Sequence, residues 1–400
     1  MHKPFDMVDL EVLEALAAYG PRNVTEVSRK LRVPAETLRK KLKRLNSQTF
    51  LRFNANIYLA NLGLRKAVVF AEAVLGYESA LLDAFKINDF WTFLSRCYGM
   101  FEGCVGIFAI PDGSRGAFEH FIRKLERSGL SKKSQIFWST GFYSVHSKAR
   151  WFNPKTKTWN FDWDGWTQEI ETADTNLPQT LAEPRAFQVR ADEIDVFILK
   201  ELEKDATVSF KRLAERLDIS PQLVRYHYYN HLIGGDLLEG FGVTVFHFGN
   251  DSESAFFTFS FDEEQNLARF ASSLLDKPFI TGIGKILGKN QLYGHFYFPR
   301  SEFRRFLGIL SKLTRSGLLR DYQYAIQDLS SSIRETIPYQ CFKKGRWIYD
   351  HERYINILTK FLRDTPLMEN ATALSLTSGL REDASGSSHE NGSAILNQTR

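Results

Sequence analysis

The sequence predicts an α+β protein: two tandem copies of one unit, each a winged helix-turn-helix followed by a ferredoxin-like βαββαβ domain, with a disordered C-terminal tail. Three observations predict it. The chain repeats itself at long period, the start of each repeat carries helical periodicity broken by turns, and the rest reads strand, helix, strand, strand, helix, strand. Asp9–Arg39 aligns without a gap on Asp195–Arg225 at an offset of 186, placing Leu13, Leu16 and Leu31 on Leu199, Leu202 and Leu217. Further along the offset is 188, and Gly106, Phe108, Pro111, Phe118 and the run Arg127–Leu130 recur as Gly294, Phe296, Pro299, Phe306 and Arg315–Leu318. Trp159, Phe161 and Asp162 return as Trp347, Tyr349 and Asp350 at the same spacing.

The elements follow in order. Asp9 suits the cap of a first helix whose Leu10, Leu13, Leu16 and Ala17 share one face, and Gly20-Pro21 breaks it. A second short helix carries Val27 and Leu31. In a third, Leu38, Leu42 and Leu45 form one buried stripe, leaving Glu36, Thr37, Arg39, Lys40, Lys43 and Arg44 outward. In the second copy Ser220 is a natural N-cap, Pro221 takes the first helical position, and Val224 and Tyr228 supply the stripe. LRFNANIYL and LLEGFGVTVFHFG suit a wing or connecting strand. The βαββαβ order then reads AVVFAEAV, ESALLDAF, DFWTFLSRC, GCVGIFAI, RGAFEHFIRKLERSG and SQIFWSTGF in copy one, and SAFFTFSF through RDYQYAIQDL in copy two.

These signals place the helix-turn-helix units at 1–64 and 192–250 and the ferredoxin-like domains at 65–166 and 251–363. A linker is expected at 167–191, which holds two prolines and several acids, and the tail at 364–400. Sequons at Asn370, Asn391 and Asn397 lie in that tail.

Composition narrows the class. With 400 residues, 43% hydrophobic and 25% charged, the chain can bury substantial cores, and its net charge of +5 does not by itself mark a polyanion partner. Cys97, Cys104 and Cys341 form no CxxC, which argues against a disulfide framework and a thiolate zinc site. The acidic amino terminus does not read as a signal peptide and no apolar run would span a bilayer, so a cytoplasmic protein with no membrane partner is expected.

The phrases VTEVSRKLRVPAETLRKKLKRLNSQTFLRF and SFKRLAERLDISPQLVRYHYYNHLIGGDLLEGF closely resemble the helix-turn-helix of the Lrp/AsnC transcription regulators, here in tandem-duplicated form. The resemblance implies a transcription regulator bound to double-stranded DNA and a possible amino acid-like effector between the sheets, near the turns Gly99–Gly106 and Gly288–Gly294. It also implies an intramolecular pseudo-dimer, with further homo-oligomers possible. Two departures stand out: the usual chain has one copy, and here each ferredoxin-like domain ends in an aromatic, Trp-rich extension.

A recognition helix needs long donors on its outer face for base edges and phosphates. The expected DNA-binding residues are therefore Thr37, Arg39, Lys40, Lys43 and Arg44 in the first head, and Gln222, Arg225, Tyr226 and Tyr229 in the second. Arg29–Arg44 carries a net charge of +7, whereas Glu215–Asn230 carries none. His227 and His231, four apart on a helix, have the spacing of a metal pair, but no third ligand is evident from sequence; no metal is expected, with His231 in the packing stripe and His227 toward DNA or solvent. Gly282, Gly284, Gly288 and Lys289 loosely mimic a phosphate cradle but read better as strand and turn. Trp151, Trp159, Trp163 and Trp166 could stack on a base or flat ligand, but they read better as residues burying an extension against a sheet. No catalytic constellation is defined, so no enzyme and no cofactor are expected. The alternatives are a siroheme-type tetrapyrrole decarboxylase, whose subunits share this arrangement, and a ligand-sensing adaptor that has left DNA.

Overall fold

A computed structural model describes residues 6–22, 24–48, 51–145, 148–156, 158–245 and 251–365. The fold is α+β. Helix α1 (Met7–Tyr19) opens on a capping box: the Asp6 carboxylate accepts from the Asp9 N–H at 2.7 Å, and the Asp9 carboxylate from the Asp6 N–H at 3.0 Å. The cap is thus Asp6 rather than Asp9, which stands one turn inside and is wholly buried. With α2 (Val24–Leu31) and α3 (Ala35–Gln48) it encloses a small core of Val12, Leu16, Val27 and Leu38. The expected stripe is the face that packs.

After β1 (Leu51–Ile57) come β2 (Leu64–Ala73), α4 (Glu78–Lys86), β3 (Trp91–Gly99), β4 (Gly103–Pro111), α5 (Arg115–Arg127) and β5 (Ser131–Ser139), the βαββαβ order. A short β6 (Tyr143–Ser144), a hairpin of β7 (Phe152–Asn153) and β8 (Thr158–Trp159), and α6 (Trp163–Thr172) follow. Helix α6 extends into the stretch expected as a linker, so the extended path begins only at Ala173.

The second set of helices is α7 (Glu193–Lys204), α8 (Phe210–Leu217) and α9 (Pro221–Tyr226), the last continued by a π-helical turn His227–Ile233. Then come β9 (Leu238–Val245), β10 (Ser252–Ser260), α10 (Glu264–Leu274), β11 (Ile280–Lys285), β12 (Gln291–Pro299), α11 (Arg300–Arg315) and β13 (Asp321–Gln327). The chain continues through β14 (Ile333–Arg334), a hairpin of β15 (Phe342–Lys343) and β16 (Arg346–Trp347), and α12 (His351–Asp364). Residues 366–400, where the tail and its sequons were expected, lie outside the described residues.

The main sheet runs β5-β2-β4-β3-β13-β10-β12-β11-β6. Its two four-stranded antiparallel parts meet edge to edge at β3 and β13, with Cys97, Tyr98 and Gly99 opposite Gln327, Ile326 and Ala325. At the far ends a bridge between Ser139 and Ile286 brings the end of β5 to the residue that follows β11, and β6 pairs with β11. The sheet therefore curls on itself. Phe70 and Phe93 of one part meet Phe256 of the other at ring separations of 6.4 and 5.7 Å, inside a shared core with Val68, Phe137 and Tyr293. Helices cover the outer faces.

Candidate nucleic-acid interface

Strands β1 and β9 pair with each other over their full length, from Leu51 opposite Val245 to Ile57 opposite Leu238. Helix α1 packs on β9 and α7 on β1, so each three-helix head rests on the other head's strand. The Arg22 guanidinium reaches across, 4.6 Å from the Phe210 ring and 5.2 Å from that of Tyr228, and donates to the Val208 carbonyl. Gly20 allows this close approach: it has φ of +84°, and a Cβ there would meet the Phe241 ring at 2.7 Å.

In the first head, Thr37, Arg39, Lys40 and Lys43 of α3 are exposed, as a groove-facing surface requires. Arg39 and Lys40 each stand 3.9 Å from Glu36, a contact between exposed groups that costs little to exchange for phosphate. Arg44 is placed differently from expectation. It is only partly exposed and hydrogen-bonds Asp9, while Lys41 spans Asp6 and Asp9 at 2.9 and 3.0 Å. These two cations fasten α3 to the start of α1, and Arg44 is engaged by the chain's own carboxylate. Burial of Asp9 explains it, since a wholly buried carboxylate must be paired.

In the second head, Ser220 caps α9 by accepting from the Leu223 N–H at 3.1 Å, and Pro221 stands in the first turn. Val224 and Tyr228 are buried, and Gln222, Arg225, Tyr226 and Tyr229 are exposed. The Arg225 guanidinium lies 5.6 Å from the Tyr229 ring. His227 does not face DNA or solvent: it is buried, with Nδ1 2.8 Å from the Asp195 carboxylate, while His231 is the more exposed of the two. The pair was visible in the sequence. Its carboxylate partner, from 32 residues upstream, was not.

The other sequence candidates resolve as structure. Gly282 and Gly284 lie in β11, and the Gly288 N–H donates to both oxygens of Glu183 at 3.0 and 3.1 Å, so the turn holds the chain's own carboxylate. Trp163 and Trp166 are buried, their indole N–H groups bound to Glu302 at 2.7 Å and Ser273 at 3.0 Å. Near the Gly99–Gly106 turn the space between the sheets is filled by rings, with Phe70 5.3 Å from Phe101 and 6.0 Å from Phe137. No helix among the described residues is long and apolar enough to cross a membrane.

A family model described as winged helix-turn-helix DNA-binding matches residues 192–228, that is, α7 through the start of the π-helical turn. No curated protein matches the chain in sequence. Among solved structures, the siroheme decarboxylase NirDL is similar over 88% of this chain and 98% of its own, with a TM-score of 0.52 and 10% identity. LrpC of B. subtilis covers 34% of this chain and 93% of its own, with a TM-score of 0.28 and 18% identity. An AsnC family transcriptional regulator from Agrobacterium tumefaciens covers 34% and 89%, with a TM-score of 0.29 and 12% identity. At these identities the NirDL likeness is one of fold. It nevertheless corrects the expectation of a chain that is no enzyme: the fold that spans it nearly end to end is one an enzyme uses, and lack of a catalytic motif in the sequence is no argument against activity.

Proposed function

We propose that the protein is a sequence-specific DNA-binding transcription regulator of the Lrp/AsnC kind, a tandem duplication whose two heads act as a built-in pseudo-dimer. The observation that carries this reading is the β1–β9 pairing, which holds two helix-turn-helix units in one fixed relation, each with long donors on the exposed face of its third helix. Two heads so held address two half-sites. The first contributes mainly charge, through Arg39, Lys40 and Lys43. The second contributes shape and polar contacts, through Gln222, Arg225, Tyr226 and Tyr229.

Salt titration of DNA binding tests this. Each phosphate contact adds about 0.9 to the slope of log affinity against log salt. Changing Arg39, Lys40 and Lys43 together to Ala should flatten the slope by roughly two to three and weaken binding to every sequence. Changing Gln222, Arg225 and Tyr226 together to Ala should instead compress the difference between preferred and random DNA, at about 1–3 kcal/mol for each lost base contact. Equal effects of the two variants would refute the division of labour, and absence of salt-sensitive binding would refute the reading itself.

A second reading, decarboxylation of a tetrapyrrole, is supported by the whole-chain likeness to NirDL and by a groove of about 380 Å³ between α5 and α12. His120, Lys124, Arg127 and Arg363 line it, a set suited to a polycarboxylate. Titration with a tetrapyrrole, followed by visible absorbance and product analysis, separates the two readings.

A further inference from the structure

The two heads solve one electrostatic problem in two ways. In the first, Asp6 and Asp9 close the capping box of α1, and Asp9 is wholly buried; Lys41 and Arg44 approach from α3 and supply two fixed positive charges. At the offset of 186, Asp6 and Asp9 correspond to Asp192 and Asp195, which close the capping box of α7 in the same manner, and Asp195 is 1% exposed. The residues corresponding to Lys41 and Arg44 are His227 and Asn230. Both fixed charges are gone, and a second imidazole, His231, arrives one turn on. Two carboxylates thus face two imidazoles where the first head has two permanently charged side chains. His227 Nδ1 is 2.8 Å from Asp195 Oδ1 and 3.8 Å from Asp192 Oδ1, and His231 Nδ1 is 3.1 Å from Asp195 Oδ2.

We infer that this cluster is a binding site for one divalent transition metal, zinc by its ligand chemistry, which supplies the two positive charges that Lys41 and Arg44 supply in the first head. Two imidazole nitrogens and two carboxylates make a tetrahedral zinc set. Four such ligand atoms lie within 4.8 Å of one another here. Ligands at bonds of about 2.0–2.2 Å stand roughly 3.3–3.6 Å apart in a tetrahedron, so small side-chain rotations suffice. The outer shell is already in place: the Asp195 N–H donates to Asp192 at 2.9 Å and the Asp192 N–H to Asp195 at 3.1 Å, which fixes both carboxylates. Asp192 and His231 are partly exposed and give the ion a way in. Bound there, the metal fastens the π-helical turn that continues α9 to the start of α7, as Lys41 and Arg44 fasten α3 to α1.

The test uses the full chain, stripped with a chelator and dialysed. Calorimetric titration with Zn²⁺ should give one site per chain, and Co²⁺ should give the visible absorption of a tetrahedral complex. His231→Gln, at a partly exposed position, should keep the circular dichroism spectrum and weaken metal binding at least tenfold. His227→Lys restores the counterpart of Lys41 and removes one metal ligand; it should abolish uptake while keeping a melting temperature that no longer responds to Zn²⁺. No stoichiometric uptake by the wild type, or uptake unchanged in both variants, would overturn the assignment. These readouts involve no DNA, so failure here and failure of the DNA-binding reading are distinguishable.

Discussion

His295, on β12, sits beside the Phe256 ring at 4.6 Å in a closed set of hydrogen bonds. Its Nε2 lies 2.7 Å from the Gln327 side-chain oxygen and its Nδ1 2.5 Å from the Thr281 hydroxyl, an arrangement that suits the neutral ring, donating at Nε2 and accepting at Nδ1. Burial pushes the imidazole down to about 4. The sign follows from linkage: between that value and the ordinary 6.5 the unfolded chain binds the extra proton, so stability is full above about pH 6.5 and drains as the pH falls toward 4. His295→Gln should remove up to about 1.4 kcal/mol per pH unit of that dependence, read from urea midpoints across the range; superimposable profiles would show that His295 does not titrate on unfolding. Sequence reading gave the ring a place in an aromatic strand and no more, because its partners come from three other strands. The pairing of Arg44 with Asp9 was hidden for the same reason. Its place on an outer helical face was legible; the buried carboxylate of α1 that claims it was not.

Elements defined by local pattern were legible. The stripe Leu38, Leu42 and Leu45, the Ser220-Pro221 start and both βαββαβ orders depend on neighbours within a few residues, and the structure forms them. Pairing between β1 and β9 depends on residues nearly half the chain apart, and neither segment announces its partner. The same holds for Arg22, which lies in a turn yet covers Phe210 and Tyr228 of the other head. Two cation–π contacts and a hydrogen bond to a carbonyl suggest that Arg22→Ala costs about 2 kcal/mol, measurable by urea denaturation. Since Arg22 lies away from the outer faces of α3 and α9, the variant should loosen DNA binding with little change in salt slope. A stability change below about 0.5 kcal/mol, the level of an ordinary surface substitution, would mean that β1 and β9 alone hold the heads.

At the scale of the whole molecule, each half finishes the other. Helix α6, from the end of the first half, packs on α10 and α11 of the second, where Trp166 is 1% exposed among Phe270, Phe279 and Phe306. Helix α12, from the end of the second half, packs on α5 of the first, and Trp347 donates to the Leu62 carbonyl at 2.6 Å. The helices α6 and α12 that end the two extensions are therefore exchanged covers, with the edge pairing of β3 and β13 and the wing pairing of β1 and β9 between them. Trp166→Ala should accordingly cost about 3–5 kcal/mol, as for other buried aromatics. A stronger consequence concerns the covalent link. If exchange rather than the connection at 173–191 holds the halves, chains 1–176 and 177–400 made together should purify as a one-to-one complex with the circular dichroism spectrum of the intact protein. Made apart, each exposes the face its partner covers and should aggregate or pair with itself until the other half is added. Halves that stay soluble and monomeric when mixed at high concentration would show that proximity along the chain, raising the local concentration of one half around the other, is what keeps the two together.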